Sequence, residues 1–140
     1  MLSSKSQYAC LAMLQLAQEH AGPQPLQAPR IAERQGIPST FLVQILHELK
    51  RAGLVSSTRG AAGGYRLSRQ PGEISLADIV DVFEAEPEPT ECAAAASPLG
   101  PAVLEVCCDL VRSRREQLQS ITLADLAERA DIGAETMWYI

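Results

Sequence analysis

Between Ser4 and Glu19 apolar residues occupy most sides of a helical projection, with Gln15, Gln18 and Glu19 gathered on one flank. That is the pattern of a helix sunk into a core, and Ser4 is its expected N-cap. The run from His20 to Pro25, with Gly22, Pro23 and Pro25, ends it in a loop. A short second helix follows, with Pro29 in its first turn, Ile31 and Ala32 facing inward and Gly36 at a left-handed C-cap position. After Gly36-Ile37-Pro38 a third helix begins, for which Ser39 is the expected cap. Leu42, Ile45, Leu46 and Leu49 recur at i, i+3, i+4 and i+7 and fix its buried face. The outward face is thereby determined as Thr40, Val43, Gln44, His47, Lys50 and Arg51.

Gly53 ends this third helix, Leu54 to Thr58 reads as a strand, the glycine-rich Gly60 to Gly64 as a turn, and Tyr65 to Leu67 as the returning strand. Ser75 caps a further helix with Asp78 at the capping-box position and Leu76, Ile79, Val80 and Phe83 as its stripe. The segment EAEPEPTEC then breaks regularity with Pro87 and Pro89 and forms an acidic loop leading to Cys92. Pro101 to Ser120 predicts a helix about 30 Å long, carrying Val103, Leu104, Cys107, Cys108, Leu110, Val111 and Leu118. Such a helix projecting from a small head needs a partner. Thr122 caps a short closing helix to Arg129 that turns Leu123, Leu126 and Ala127 inward. The expected fold is mainly α with a small β-hairpin, a winged helix-turn-helix plus a long dimerisation helix. Its expected parts are a head at 1–75, a linker helix and acidic cysteine-containing loop at 76–100, and dimerisation and C-terminal helices at 101–140.

Composition changes the picture through charge. The 140 residues carry 12 Lys or Arg and 17 Asp or Glu, a net charge of -5. Divided after Ser75, the first part holds eight cations against four anions, and the remainder four cations against thirteen anions. A basic head on an acidic body is compatible with a polyanionic ligand, because binding follows the local field rather than the mean. No apolar run approaches the roughly 20 residues of a membrane span, and the N-terminus lacks the zones of a signal peptide. A soluble cytoplasmic protein without membrane contact is the expectation, and the four cysteines, unevenly spaced, are expected to be reduced.

A helix in a DNA major groove reads bases through an amide for adenine, hydroxyls for base or phosphate, and an alkyl group for the thymine methyl. Gln44, Ser39 with Thr40, and Val43 supply these groups, and His47 lies on the same face. Arg59 at the foot of the hairpin is the candidate for a minor-groove contact. Gly60, Gly63 and Gly64 give the turn its backbone freedom. Lys5, Lys50, Arg51 and Arg66 are candidates for phosphate pairing, which supplies affinity and salt dependence without sequence information. The opposing reading of this face is a plain solvated helix surface.

The stretches LSSKSQYACLAMLQLA, IAERQGIP, FLVQILHELKRAGLVSSTRGAAGGYRLSR, ISLADIVDVFE and SITLADLA together resemble the Rrf2 family of bacterial transcription regulators. The resemblance implies a homodimer whose long helices cross, each head placing its third helix in the major groove of double-stranded DNA at a palindromic operator. Family members include sensors of iron-sulfur status, nitric oxide and cysteine supply. Many carry an acidic residue where Val43 stands here.

The cluster-binding branch of that family has three cysteines close together before the long helix, whereas here Cys92 alone lies in that loop. Cys107 and Cys108 fall inside the helix, where adjacent side chains point about 100° apart. The candidate metal ligands are therefore Cys92, Cys107 and Cys108, an incomplete motif, with Glu91, Glu105 or Asp109 as conceivable fourth ligands of an iron-sulfur cluster. A thiol sensor using Cys92, or no thiol chemistry at all, are the competing readings. The rival function is a cluster-free winged-helix module that binds a protein partner. Enzymatic activity is the poorest fit: no Ser-His-Asp or Cys-His arrangement and no phosphate-binding GxxxxGK occurs.

Overall fold

A computed structural model describes residues 1–85 and 96–138 of the chain, with backbone alone for 134–138. Its helices are α1 (Ser4–Gln18), α2 (Ala28–Gln35), α3 (Ser39–Arg51), α4 (Leu76–Phe83), α5 (Gly100–Ser120) and α6 (Leu123–Trp138), with strands β1 (Val55–Thr58) and β2 (Gly64–Leu67) between α3 and α4. The strands pair antiparallel, Val55 opposite Leu67 and Thr58 opposite Gly64. An isolated bridge between Leu26 and Tyr65 adds a third backbone segment beside β2. This is the expected winged helix-turn-helix with a long helix following.

One hydrophobic core holds these elements together. Ala9, Ala12 and Met13 of α1, Ile31 of α2, and Leu42, Ile45, Leu46 and Leu49 of α3 are all fully buried in it. Ile79 of α4 and Leu123 of α6 reach the same core, although a division at residues 75 and 100 would set them outside the head. The four α3 residues lie on one side because their spacing follows the helical period, so burying them leaves the other side to solvent.

Three local expectations are corrected. The cap of α1 is Ser3, whose hydroxyl accepts from the Ser6 amide at 3.1 Å, while Ser4 is already helical. Pro38 occupies the N-cap of α3, with its carbonyl accepting from the Leu42 amide, so Ser39 is the first helical residue and its hydroxyl is left for other work. The last helix runs on past Arg129 to Trp138. Gly133 lowers helix propensity by about 1 kcal/mol but neither clashes nor removes a donor, so it does not stop the helix.

Two capping boxes lie side by side and fasten α4 to α6. Ser75 with Asp78 and Thr122 with Asp125 each exchange reciprocal side-chain to backbone bonds of 2.9 to 3.1 Å. Between them the Leu76 amide donates to the Ile121 carbonyl and the Leu123 amide to the Ile74 carbonyl, both at 2.8 Å. Those bonds to Thr122 hold the Asp125 carboxyl below its usual range. The segments ILE-SER-LEU-ALA-ASP and ILE-THR-LEU-ALA-ASP thus form a near-symmetric pair, 47 residues apart along the chain.

Candidate nucleic-acid interface

The outward face of α3 is open along its length. Ser39, Thr40, Val43, Gln44, His47, Lys50 and Arg51 are all exposed, and Val43 keeps 49% of its surface in solvent. Phe41 turns aside to meet Tyr8 edge-on, ring centroids 5.6 Å apart. The one acid on this helix, Glu48, is neutralised by Lys5 at 2.8 Å, and the Lys5 ammonium also sits 5.5 Å from the centre of the Phe83 ring. An anion that would repel phosphate is thereby paired, and Lys5 is engaged rather than free for a phosphate.

Beside α3 stands the hairpin. Lys50 donates to the Ser57 hydroxyl at 2.6 Å, linking the end of α3 to β1. Arg59 is exposed at the end of β1, where the turn begins. The glycines of the turn have distinct reasons. Gly64 has a φ of 146°, and a Cβ there would lie 2.6 Å from the Leu26 carbonyl, while one on Gly63 would stand 2.1 Å from the Thr58 carbonyl oxygen. Gly60, at φ 103°, meets no such obstacle and is required for conformation alone. Arg66 is committed elsewhere: its guanidinium donates to the carbonyls of Gly22 and Pro23.

The head's cations therefore divide. Lys5 pairs with Glu48, Arg34 with Glu19 at 2.6 Å, and Arg66 with backbone. Among the described residues Arg30, Lys50, Arg51, Arg59 and Arg69 have no acidic partner. Arg30 and Gln27 carry no signal in the sequence that marks them as part of this surface. They line, with Ala61 and Ala62, a cleft of about 220 Å³ between the start of α2 and the wing. Only the contact between segments 34 residues apart gives Gln27 its place, as its amide donates to the Ala61 carbonyl.

The thiols occupy a different region. Cys10 packs against the core, and burial, reinforced by the Glu84 carboxylate, pushes its thiol up to about 11. Cys107 and Cys108 are half-buried neighbours on α5, and Cys108 shares an open groove with Leu104, Glu105, Asp109 and Arg112. Cys92 and Glu91 lie outside the described residues. Among the described residues no three Cys, His, Asp or Glu side chains converge on a common point. The successive helical positions of Cys107 and Cys108 aim their sulfurs in different directions, so these two thiols do not converge on one iron.

A helix-turn-helix whose second helix offers a polar, acid-neutralised face beside a glycine-hinged wing defines a winged-helix DNA-binding transcription regulator. The comparisons with known proteins agree on this class. The chain matches the Rrf2 model, described as an iron-dependent transcriptional regulator, over residues 2–129, and it belongs to that family. It is 36% identical over 140 residues to the HTH-type transcriptional regulator CymR of Bacillus subtilis, covering 99% of each chain. Among solved structures it is similar to CymR, the global cysteine regulator of B. subtilis, with a TM-score of 0.81 and 34% identity over 92% of this chain and 97% of that one. It is also similar to T. potens IscR, with a TM-score of 0.74 and 38% identity over 93% and 88%. No helix among the described residues is long and apolar enough to cross a membrane.

Proposed function

We propose that the chain works as a cytoplasmic homodimer that represses transcription by covering a palindromic operator. The observation that carries this is the exposed α3 face, flanked by a wing and by cations without acidic partners. Gln44 reads adenine, Val43 meets a thymine methyl, and Ser39, Thr40 and His47 bond to base edges or phosphates. Lys50 and Arg51 lie at the end of α3 where a phosphate strand passes, and Arg59 enters the minor groove from the wing. Lys5 and Arg66 act through the structure they hold. The reading contains no catalytic step.

Self-association falls to α5. Leu99, Val103, Val106 and Leu110 form a stripe at i, i+4, i+7 and i+11, exposed by 49% to 79%. Two such helices crossing bury both stripes, and a helix about 30 Å long suits heads that meet half-sites about 34 Å apart. A response to redox state falls to Cys92 and the α5 thiols, since burial silences Cys10. No step of this reading runs through an iron-sulfur cluster.

Selection of duplexes from a random pool by the purified protein tests the reading. The expected product is an inverted repeat, with Gln44→Ala relaxing the preference at one base pair in each half-site. Lys50→Ala is expected to weaken all duplexes alike and to lower the salt slope by about one. Enrichment of no sequence, or identical behaviour of the two variants, contradicts the proposal.

A further inference from the structure

The wing is fastened to the helix-turn-helix by chain that lies outside the hairpin. Leu26 exchanges backbone bonds with Tyr65 at 3.0 and 2.8 Å, and Arg66 grips the carbonyls of Gly22 and Pro23. Both contacts act on β2, where Tyr65 and Arg66 pair with Ser57 and Ser56 just before the turn. A third acts at the tip of the wing: the Gln27 Nε2 donates to the Ala61 carbonyl at 3.0 Å. Ala61 is two residues from Arg59.

Gln27 occupies the N-cap of α2, where Ser, Thr, Asp or Asn ordinarily folds back on the helix amides. Its side chain makes no cap bond and extends to the wing instead. The tip, residues 59–63, lies beyond the ends of the two strands. Its turn is closed by the Gly63 amide donating to the Gly60 carbonyl at 3.0 Å, and a two-stranded hairpin has little stability of its own. Of its glycines, Gly63 and Gly64 are packed against close backbone neighbours, whereas Gly60, with open space around it, widens the range of conformations the tip can sample. Ordering a loose tip on DNA costs entropy at the moment of binding, and a contact that orders it beforehand removes that cost.

From these contacts we infer that Gln27 is a positioning residue for DNA binding. By holding Ala61 it fixes the wing tip, and Arg59 with it, at a set distance from the recognition surface of α3. Gln27 itself touches no base. The inference rests on the reading of Arg59 as a minor-groove contact.

The test is a double-mutant cycle between Gln27→Met and Arg59→Ala, read as Kd on the duplex selected by the native protein. Methionine keeps the length of the side chain and lacks the donor. Gln27 is exposed, so the variant is expected to melt within about 2 °C of the native protein. In the native background Gln27→Met is expected to weaken binding about fivefold, with the salt slope unchanged because no charge is removed. In the Arg59→Ala background the same substitution is expected to change Kd by less than about 1.5-fold. Equal losses in both backgrounds, or no loss in the native one, overturn the inference. If Arg59→Ala weakens binding and Gln27→Met does not, the wing reading stands and the positioning role falls. If Arg59→Ala binds like the native protein, both fall.

Discussion

Glu84 shows what a single side chain contributes where α4, α1 and α5 meet. Its carboxylate accepts from the Ser6 hydroxyl and, at 3.4 Å, from the Ser3 amide, while Arg114 of α5 stands 3.8 Å away. The Ser6 bond above all holds its carboxyl below the ordinary value of 4.5. A folded-state pKa lowered in this way stabilises the fold above the unfolded pKa, and the contribution is lost as pH falls through the folded value. Glu84→Gln is therefore expected to lower Tm by roughly 5 °C at neutral pH. The gap should narrow as pH falls below about 4.5, where the unfolded chain takes up the proton first, and close once the pH has dropped through the lower value at which the native carboxyl protonates. Melting curves between neutral and acid pH check this, and a gap independent of pH contradicts it. Partnerships of this kind were illegible in the sequence. Ser3 and Ser4 are chemically alike as caps, Ser39 loses its cap role to the geometry of Pro38, and Lys5 and Arg66 find partners 43 residues away. Exposure on α3 was legible because it is the complement of a periodic burial pattern.

Among the elements, α5 carries two apolar faces with different destinations. Val111 and Leu118 line a small cleft with Val80 of α4, and Arg115 grips Asp81 through two bonds of 2.6 and 2.7 Å, fastening the helix to its own head. The stripe from Leu99 to Leu110 has no such cover among the described residues. Leu110→Asp places a charge within the stripe of the proposed helix crossing, where its desolvation costs several kcal/mol. The expected outcome is a folded monomer by sedimentation, with duplex affinity reduced by at least about tenfold. A variant that remains dimeric contradicts the role given to α5. The extent of this helix was legible in the sequence, whereas the sorting of its apolar residues onto two faces was not, since Leu99 and Val106 are not among the positions read as its apolar set. The true extent of α6 was not legible either, because Gly133 resembles a stop signal without acting as one. The pairing of the two capping boxes also escaped, since each motif is local while the bridge between Ser75 and Thr122 is not.

At the scale of the whole molecule, charge and shape point the same way. The basic part of the chain folds so that several of its cations neutralise its own acids or brace its loops, while Arg30, Lys50, Arg51, Arg59 and Arg69 have no acidic partner among the described residues. The charge asymmetry is legible in the sequence, but this division is not, because it depends on contacts between distant segments. All of this turns on the outer face of α3, proposed to lie in a groove of duplex DNA. Photocrosslinking tests it most directly, with p-benzoylphenylalanine in place of exposed Val43 and, as a control, in place of Glu128 on α6. Crosslinks are expected from position 43 to bases at two symmetry-related places in the selected duplex, and none from position 128. Crosslinks absent at 43, or as abundant at 128, would contradict it.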